Sequence, residues 1–169
     1  RTLSQHVLSP AKIVTEMNNS ISDNNESNMF VTLIVGILDQ ETGILKLCNA
    51  GHNPPILIYP DGQVSYLEFK TQIFVGVVED FKYSDEEVVL EKESKLFLYT
   101  DGVTEAENIN KELYGEEKLL EMLSDNASSD VRTTVNVVVD SIASHVKEAE
   151  ASDDLTILLI QYEPGTANS

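Results

Sequence analysis

The chain has 169 residues, a formal net charge of −18 from 11 basic and 29 acidic side chains, and a hydrophobic fraction of 41%. This fraction is too high for a disordered acidic tail, and the length predicts one domain with a packed core. The acidity argues against duplex nucleic acid and anionic membranes as main partners, because both bind basic patches. The single cysteine, Cys48, excludes an internal disulfide framework and is compatible with a reducing compartment.

No apolar run reaches the roughly 18 residues that a membrane span needs, and no signal peptide opens the chain. The chain starts at Arg1 rather than at methionine, which indicates a piece of a longer protein. We expect residues 1–163 to form the folded domain and residues 164–169 to form a frayed tail.

The first part of the chain predicts a helix followed by two strands. Ser9 and Pro10 supply an N-cap and a first-turn proline. Apolar residues then recur at helical spacing on one face, at Ile13, Val14, Met17 and Ile21. The almost continuously apolar run from Phe30 to Asp39 is typical of a strand that is covered on both faces. A hairpin-type connection at residues 40–43 leads to a strand from Ile44 to Asn49.

Four further strands are predicted as two hairpins. The first hairpin joins residues 56–59 and 64–69 around an Asp-Gly turn. The second pairs residues 86–90 with residues 95–100. Because these connections are too short for crossover helices, the pairing is expected to be antiparallel.

Two amphipathic helices and one strand complete the prediction. The first helix covers residues 115–124 and has an acidic first turn, which suits a positive helix N-terminus. Ser129 is expected to cap the second, whose apolar face is Val131, Val135, Val138, Ile142 and Val146. The final strand covers residues 155–162. The fold class is therefore α+β, with antiparallel sheets sandwiched between helices and the runs at Phe30 and Leu155 as central strands.

Three short segments are candidates for chemistry, and the first is Asp101-Gly102. An aspartate at the end of an apolar strand can project its carboxylate into a cleft, and a glycine beside it lets backbone or a ligand approach closely. The alternative is a plain turn, since Asp-Gly turns are common.

The second segment is the acidic pair Asp153-Asp154, which follows Ser152 and precedes the last strand. Adjacent carboxylates repel unless water or a cation screens them, so a metal ion is one reason for their placement. Oxygen-only ligands select Mg²⁺ or Mn²⁺ rather than Zn²⁺. A solvated loop is the alternative.

The third segment, residues 49–55, contains His52 and Asn53 followed by two prolines. The histidine can titrate near neutral pH and act as an acid or a base. The glycine, prolines and asparagines favour a structural turn instead. A separate acidic run is interpreted as a solvated face; its members are Glu79, Asp80, Asp85, Glu86, Glu87, Glu91 and Glu93.

Taken in order, these segments resemble the stage II sporulation E and sigma-regulator branch of the metal-dependent PP2C-like serine/threonine phosphatases. The resemblance covers residues 3–162, and NAGHNPP followed by LYTDGVTEA and DDLT is its most specific part. The full set of matching segments is Ser9–Asn18, Met29–Pro55, Leu96–Asn108, Tyr114–Leu123 and Asp153–Ile160.

The resemblance implies two antiparallel sheets between helical layers and a pair of Mn²⁺ or Mg²⁺ ions held by aspartates. These ions activate a water that attacks the phosphorus of a phosphoserine. By the resemblance, Asp101 and Asp153 match metal aspartates, and Asp154 and Gly102 are further metal or outer-shell candidates. The implied enzyme is a protein phosphatase in bacterial signalling that acts on an anti-sigma-factor antagonist.

The chain also departs from the family pattern. The family's domain begins with a further stretch, which holds an early acidic motif, a second Asp-Gly-type motif and the first strands, and nothing in this chain matches it. We therefore expect a truncated domain with half a metal site, little turnover on its own and uncovered sheet edges that favour a homodimer.

Three hypotheses follow from this resemblance. The first is a cytoplasmic phosphatase domain, preceded in the parent chain by a regulatory domain or by a sensor that can be membrane-anchored. The second is a non-catalytic pseudophosphatase or interaction domain of the same fold. The third is an acidic cation-binding module without turnover, which the lack of a repeated calcium loop disfavours.

Overall fold

The fold is that of a computed structural model, which describes residues 9–23, 25, 29–149 and 153–165. The predictions for Ser152 and for the tail beyond residue 165 lie outside the described residues. The elements in chain order are α1 (Pro10–Ser22), β1 (Leu33–Leu38), β2 (Ile44–Ala50), β3 (Ile56–Ile58), β4 (Val64–Tyr66), β5 (Glu86–Val89), β6 (Lys95–Tyr99), α2 (Glu116–Asp125), α3 (Val131–Val146) and β7 (Ile157–Gln161).

The chain divides into two compact units, a first unit of residues 1–52 and 69–90 and a second unit of residues 53–68 and 91–169. The first contains α1 and a sheet of order β1-β2-β5, and the second contains α2, α3 and a sheet of order β4-β3-β6-β7. Every strand pair in these two sheets is antiparallel. The predicted α+β class with two antiparallel sheets is therefore confirmed, whereas a single domain over residues 1–163 stays a prediction.

Helix α1 begins as predicted, and it buries only part of the predicted apolar face. Ser9 is its N-cap and accepts a hydrogen bond from the Lys12 N–H at 3.2 Å. Val14 is fully buried, but Met17 is 39% exposed and the fully buried neighbour is Asn18. The Asn18 amide donates to the carbonyl of Val78 and accepts from the Gly76 N–H. A polar side chain can occupy the core here because both ends of its amide are satisfied.

The sequence predicts a solvated face for the acidic run that contains Asp85, and this prediction is wrong for Asp85. Its carboxylate accepts hydrogen bonds from the Ser9 hydroxyl and the Ala11 N–H, each at 2.6 Å. The carboxylate thus lies at the positive N-terminus of α1, where a negative charge is stabilising. Of the same acidic run, Glu87 pairs with Lys46 at 2.8 Å on the partly exposed surface.

The predicted hairpin of β5 and β6 is wrong. Strand β5 pairs with β2, and β6 pairs with β3 and β7 in the other sheet. The connection leaves the first sheet because Glu93 N–H donates to the carbonyl of Tyr162, and Tyr162 N–H donates to the carbonyl of Ser94. A short connection permits a hairpin but does not require one.

The apolar runs at Phe30 and Leu155 do not form central strands. Strands β1 and β7 each lie at one edge of their sheet in the described part of the chain. Leu158 and Ile160 of β7 are 53% and 42% exposed. An apolar run therefore indicates a strand, but in this chain it does not indicate its place in the sheet.

The core of the second unit joins the sheet to both helices. The buried sheet residues Ile56, Phe97 and Leu159 belong to one cluster with Leu119 of α2 and Val138 of α3. Helix α3 is capped by Asp130 rather than by Ser129, and the Asp130 carboxylate accepts from the Thr133 N–H at 3.1 Å. No helix in the described residues combines the length and the apolarity that a membrane crossing would require.

Candidate metal centre

Asp101 lies where the buried strand β6 ends. The strand is followed by a tight turn in which Val103 N–H donates to the Thr100 carbonyl and Glu105 N–H donates to the Asp101 carbonyl. The Asp101 side chain is exposed and accepts a hydrogen bond from the Gly102 N–H at 3.1 Å. The sequence folds this way locally because the apolar strand stops at a residue pair that favours a turn.

Asp153 and Asp154 lie just before β7, and both are exposed. The Asp153 carboxylate accepts from the N–H of Asp154 at 2.7 Å. The carbonyl of Asp154 points to the end of β6, where it accepts a hydrogen bond from the Thr100 hydroxyl at 3.2 Å.

Thr100 joins the two segments. Its N–H donates to the Thr156 carbonyl, and its hydroxyl accepts from the Thr156 N–H, each at 3.1 Å. Together with the bond to Asp154, these contacts use the hydroxyl of Thr100 as both donor and acceptor. The sequence analysis did not single out Thr100 as a functional residue. The available signal was that Thr100 directly precedes the Asp101 turn and that a second threonine, Thr156, directly precedes β7.

Gly102 allows the two segments to approach each other. A Cβ atom at this position would overlap the main-chain carbonyl of Asp154 and lie 3.5 Å from the nitrogen of Leu155. The space beside Gly102 is thus filled by the protein's own backbone. The structure therefore brings the Asp101-Gly102 turn and the Asp153-Asp154 pair to one edge of the second unit's sheet.

The donor chemistry at this edge fits a hard divalent cation. Three exposed carboxylates offer oxygen ligands, and none of them takes part in an ion pair within the described residues. Mg²⁺ is commonly held by one or two carboxylates together with water and substrate phosphate. Across the same described residues, no group of three or more His, Cys, Asp and Glu side chains is arranged to hold a metal ion. The edge therefore offers oxygen donors, but no complete group of metal ligands is present among the described residues.

The loop with His52 is held by its own residues. The Asn49 side chain donates to the His52 carbonyl at 2.9 Å and accepts from the His52 N–H at 2.8 Å. The ring Nδ1 of His52 lies 3.4 Å from the hydroxyl of Thr32. Gly51 has a φ of +76°, and a Cβ there would overlap the ring of Phe74. These contacts support a structural role for the loop.

Asn53 belongs to the second unit and lies beside two buried phenols. Burial raises the pKa of Tyr99, and the Asn53 and Tyr66 side chains are its polar neighbours. Burial also raises the pKa of Tyr66, which neighbours Tyr99 and Glu116. Neither phenol oxygen reaches a partner with good hydrogen-bond geometry. Both phenols therefore stay protonated near neutral pH, and neither is a candidate base.

The fold is that of PP2C-like serine phosphatases. The solved SiaA-PP2C domain of Pseudomonas aeruginosa is similar with a TM-score of 0.78 and 21% identity, over 92% of this chain and 61% of that chain. This likeness concerns the fold alone.

The family model described as Stage II sporulation protein E (SpoIIE) matches residues 1–163, and the chain therefore belongs to that family. Protein IcfG of Synechocystis sp. is 27% identical over 139 residues, which cover 82% of this chain and 22% of that protein. Phosphoserine phosphatase RsbU of Bacillus subtilis is 24% identical over 153 residues, which cover 90% of this chain and 45% of RsbU. The chain thus spans less than half the length of either relative. The resemblance drawn from the motifs is confirmed.

Proposed function

We propose that this chain is the phosphatase domain of a metal-dependent enzyme that hydrolyses phosphoserine or phosphothreonine on a bacterial regulatory protein of the anti-sigma-factor antagonist type. The observation that carries the proposal is the approach of the Asp101-Gly102 turn to the Asp154 carbonyl, which brings two aspartate-bearing segments that are distant in the sequence to one edge of the sheet. The similarity to the phosphoserine phosphatase RsbU over 90% of the chain supports the reaction class.

In this proposal Asp101 and Asp153 hold Mn²⁺ or Mg²⁺, with Asp154 and Gly102 next to the site. A related protein, RsbX, was solved in complex with magnesium, which supports this choice of ion. Such an ion, when bound, lowers the pKa of water and neutralises charge on a phosphate. No histidine or lysine of this chain is needed as a nucleophile.

The chain's own residues position these ligands. Thr100 fixes the end of β6 against residues 154–156, so the two carboxylate-bearing segments have a defined separation. A net charge of −18 repels the negative phosphate group of a phosphorylated protein, because like charges repel each other. Substrate approach to these carboxylates therefore depends on a bound cation.

The partners in this proposal are the phosphoprotein and a regulatory domain of the parent chain, both in the cytoplasm. A solved protein of Mycobacterium tuberculosis, Rv1364c, contains RsbU and RsbW domains, which supports linkage to a regulator. A homodimer stays a prediction from the uncovered edges.

A second candidate is a non-catalytic interaction domain of the same fold. It is favoured by one observation, the lack of a complete group of metal ligands among the described residues. The two candidates differ in whether the protein turns over a phosphate ester.

The test compares Asp101→Asn with the wild type in the protein expressed from its full coding sequence. We expect Mn²⁺-dependent hydrolysis of p-nitrophenyl phosphate by the wild type. The variant should lose more activity than the about 10–100-fold that is lost when a residue next to a metal ligand is removed. Asp140→Asn, on the exposed side of α3, is the matched control and should keep full activity.

Unchanged activity of Asp101→Asn would refute the metal assignment. A wild type without Mn²⁺-dependent hydrolysis would instead favour the interaction domain.

A further inference from the structure

Residues 104–115 form a short hairpin that follows the turn at Asp101. Its arms are joined by hydrogen bonds from Gly115 N–H to the Thr104 carbonyl and from Tyr114 N–H to the Ala106 carbonyl, each at 2.9 Å. Nearer the tip, Asn108 N–H donates to the carbonyl of Glu112 at 3.0 Å. We call this segment the 104–115 hairpin.

The tip of the hairpin is held by side chains. The Asn108 carboxamide oxygen accepts from the N–H groups of Asn110 and Glu112, and its NH₂ donates to the Glu112 carboxylate at 2.7 Å. Lys111 and Glu107 form an ion pair at 2.7 Å. Because the tip is already ordered, little conformational entropy would be lost when a partner binds it.

The base of the hairpin is anchored in the core. Ala106 and Tyr114 are buried, and the Tyr114 hydroxyl donates to the Ser141 hydroxyl at 3.0 Å. The ring of His145 lies edge-on to Tyr114, and its Nε2 is 2.9 Å from the carbonyl of Glu112. The hairpin therefore stands on α3 as a fixed projection.

Two large apolar side chains of this hairpin face solvent. Ile109 is 75% exposed, the largest exposed fraction of any large hydrophobic residue in the described residues, and Leu113 is 53% exposed. Since alternate residues of an extended arm point to opposite sides, Leu113 points outward while Tyr114 points to the core. Turns favour Gly, Pro, Asn, Asp and Ser, so an isoleucine between Asn108 and Asn110 has no local structural reason.

The hairpin lies within reach of the candidate metal centre. Its base begins at Thr104, and Glu105 N–H donates to the carbonyl of Asp101 at 2.8 Å. Ile109 is five Cα–Cα steps along the chain from Thr104, which limits their separation to about 17 Å. A protein segment of about this length can bind at Asp101 and touch Ile109 at the same time.

The charge around the hairpin indicates the chemistry of the partner that binds it. Residues 104–118 contain five acidic and two basic side chains, which gives 2 − 5 = −3. An apolar contact surrounded by negative charge fits an apolar side chain that is flanked by lysine or arginine.

We propose that Ile109 and Leu113 form a docking contact for the phosphoprotein substrate. The contact recognises a large apolar side chain of the substrate that is flanked by basic residues and lies at a distance from the phosphoserine. This inference rests on the proposed function, because it assigns the occupant as the substrate. It makes these two residues specificity determinants outside the reacting centre.

The test uses the full-length protein and two synthetic phosphoserine peptides of equal length. One peptide has two leucines, one about five residues before the phosphoserine and one about five residues after it, and each leucine lies between two lysines. This spacing matches the reach of the hairpin. The other has both leucines replaced by serine. We expect the wild type to have a KM about tenfold lower for the leucine peptide, since one buried leucine contributes that much to affinity.

The double variant Ile109→Ser, Leu113→Ser should lose this discrimination and keep the wild-type kcat/KM for p-nitrophenyl phosphate. Leu158→Ser, whose parent side chain is 53% exposed like Leu113, is the matched control and should discriminate as the wild type does. Equal KM values for the two peptides in the wild type, or discrimination retained by the double variant, would overturn the docking contact.

Fluorescence anisotropy of the labelled peptides measures the same preference as a ratio of Kd values without any turnover. A Kd ratio of about ten in a wild type that hydrolyses nothing would support the docking contact and refute the proposed catalysis. A ratio of one would overturn the docking contact even if hydrolysis is rapid.

Discussion

Gly102→Ala tests the approach of the Asp101 turn to the start of β7. The added methyl would overlap the Asp154 carbonyl, which is backbone and cannot rotate away. Overpacking costs about 1–3 kcal/mol, and the stiffer unfolded chain offsets about 0.4–1 kcal/mol of this. We therefore expect a net loss of about 1–2 kcal/mol, which lowers the Tm by about 2–8 °C in a domain of this size.

The same substitution should weaken the proposed metal site. Displacement of the Asp154 carbonyl changes the position of the adjacent Asp153 relative to Asp101, so the affinity for Mn²⁺ should fall about 10–100-fold. Isothermal titration calorimetry with Mn²⁺ on the full-length protein measures this change, and thermal denaturation measures the loss of stability.

Gly115→Ala is the matched control. Gly115 has a φ of +83°, and a methyl group added there would meet no atom within 4 Å, so alanine at this position is strained without any overlap. The strain costs about 1–3 kcal/mol, similar to the loss at Gly102, but the affinity for Mn²⁺ should stay unchanged. A wild-type Tm for Gly102→Ala would refute the contact, and equal losses of Mn²⁺ affinity in both variants would refute its link to the metal site.

Two further predictions concern the first unit. Asp85→Ala should destabilise the protein by about 1–2 kcal/mol in urea denaturation, because the N-terminus of α1 loses its carboxylate. Asp85→Asn keeps a hydrogen-bond acceptor and should lose less stability. Equal stability of the wild type and both variants would contradict this role of Asp85. Burial raises the pKa of Cys48 from 9.0 to about 11. Its contribution to stability is therefore present below pH 9 and lost as the pH rises toward about 11, and Cys48→Ala should lack this loss. Thiolate absorbance of the folded protein that rises near pH 9 would contradict the prediction.

The candidate site could be predicted from the sequence only segment by segment. Asp101 and Asp153 each lie beside an apolar strand, and this local pattern is visible in the sequence. The contact between their segments is tertiary, because Thr100 and Thr156 are 56 positions apart. No local pattern indicates that the Thr100 hydroxyl joins them.

The elements of the fold were predictable where local chemistry decides them, and the pairings were not. Pro10 and the cap at Ser9 place the start of α1 correctly. The order of β5 and β6 in the sequence suggested a hairpin. The hydrogen bond from Glu93 N–H to the Tyr162 carbonyl instead joins the segment before β6 to the second sheet. Asn18 is buried because residues 76 and 78, far along the chain, satisfy its amide.

The hydroxyl of Thr100 has a consequence for how this domain can vary. The chain between Asp101 and Asp154 forms a closed loop whose ends are fastened by Thr100 and Thr156. Closing a loop costs an entropy that grows only slowly with its length. Insertions or deletions at the surface between α2 and α3 should therefore leave the spacing of the two aspartates unchanged. The five residues between α2 and α3 can thus change in number while the hydrogen bonds of Thr100 keep the two aspartate-bearing segments in register.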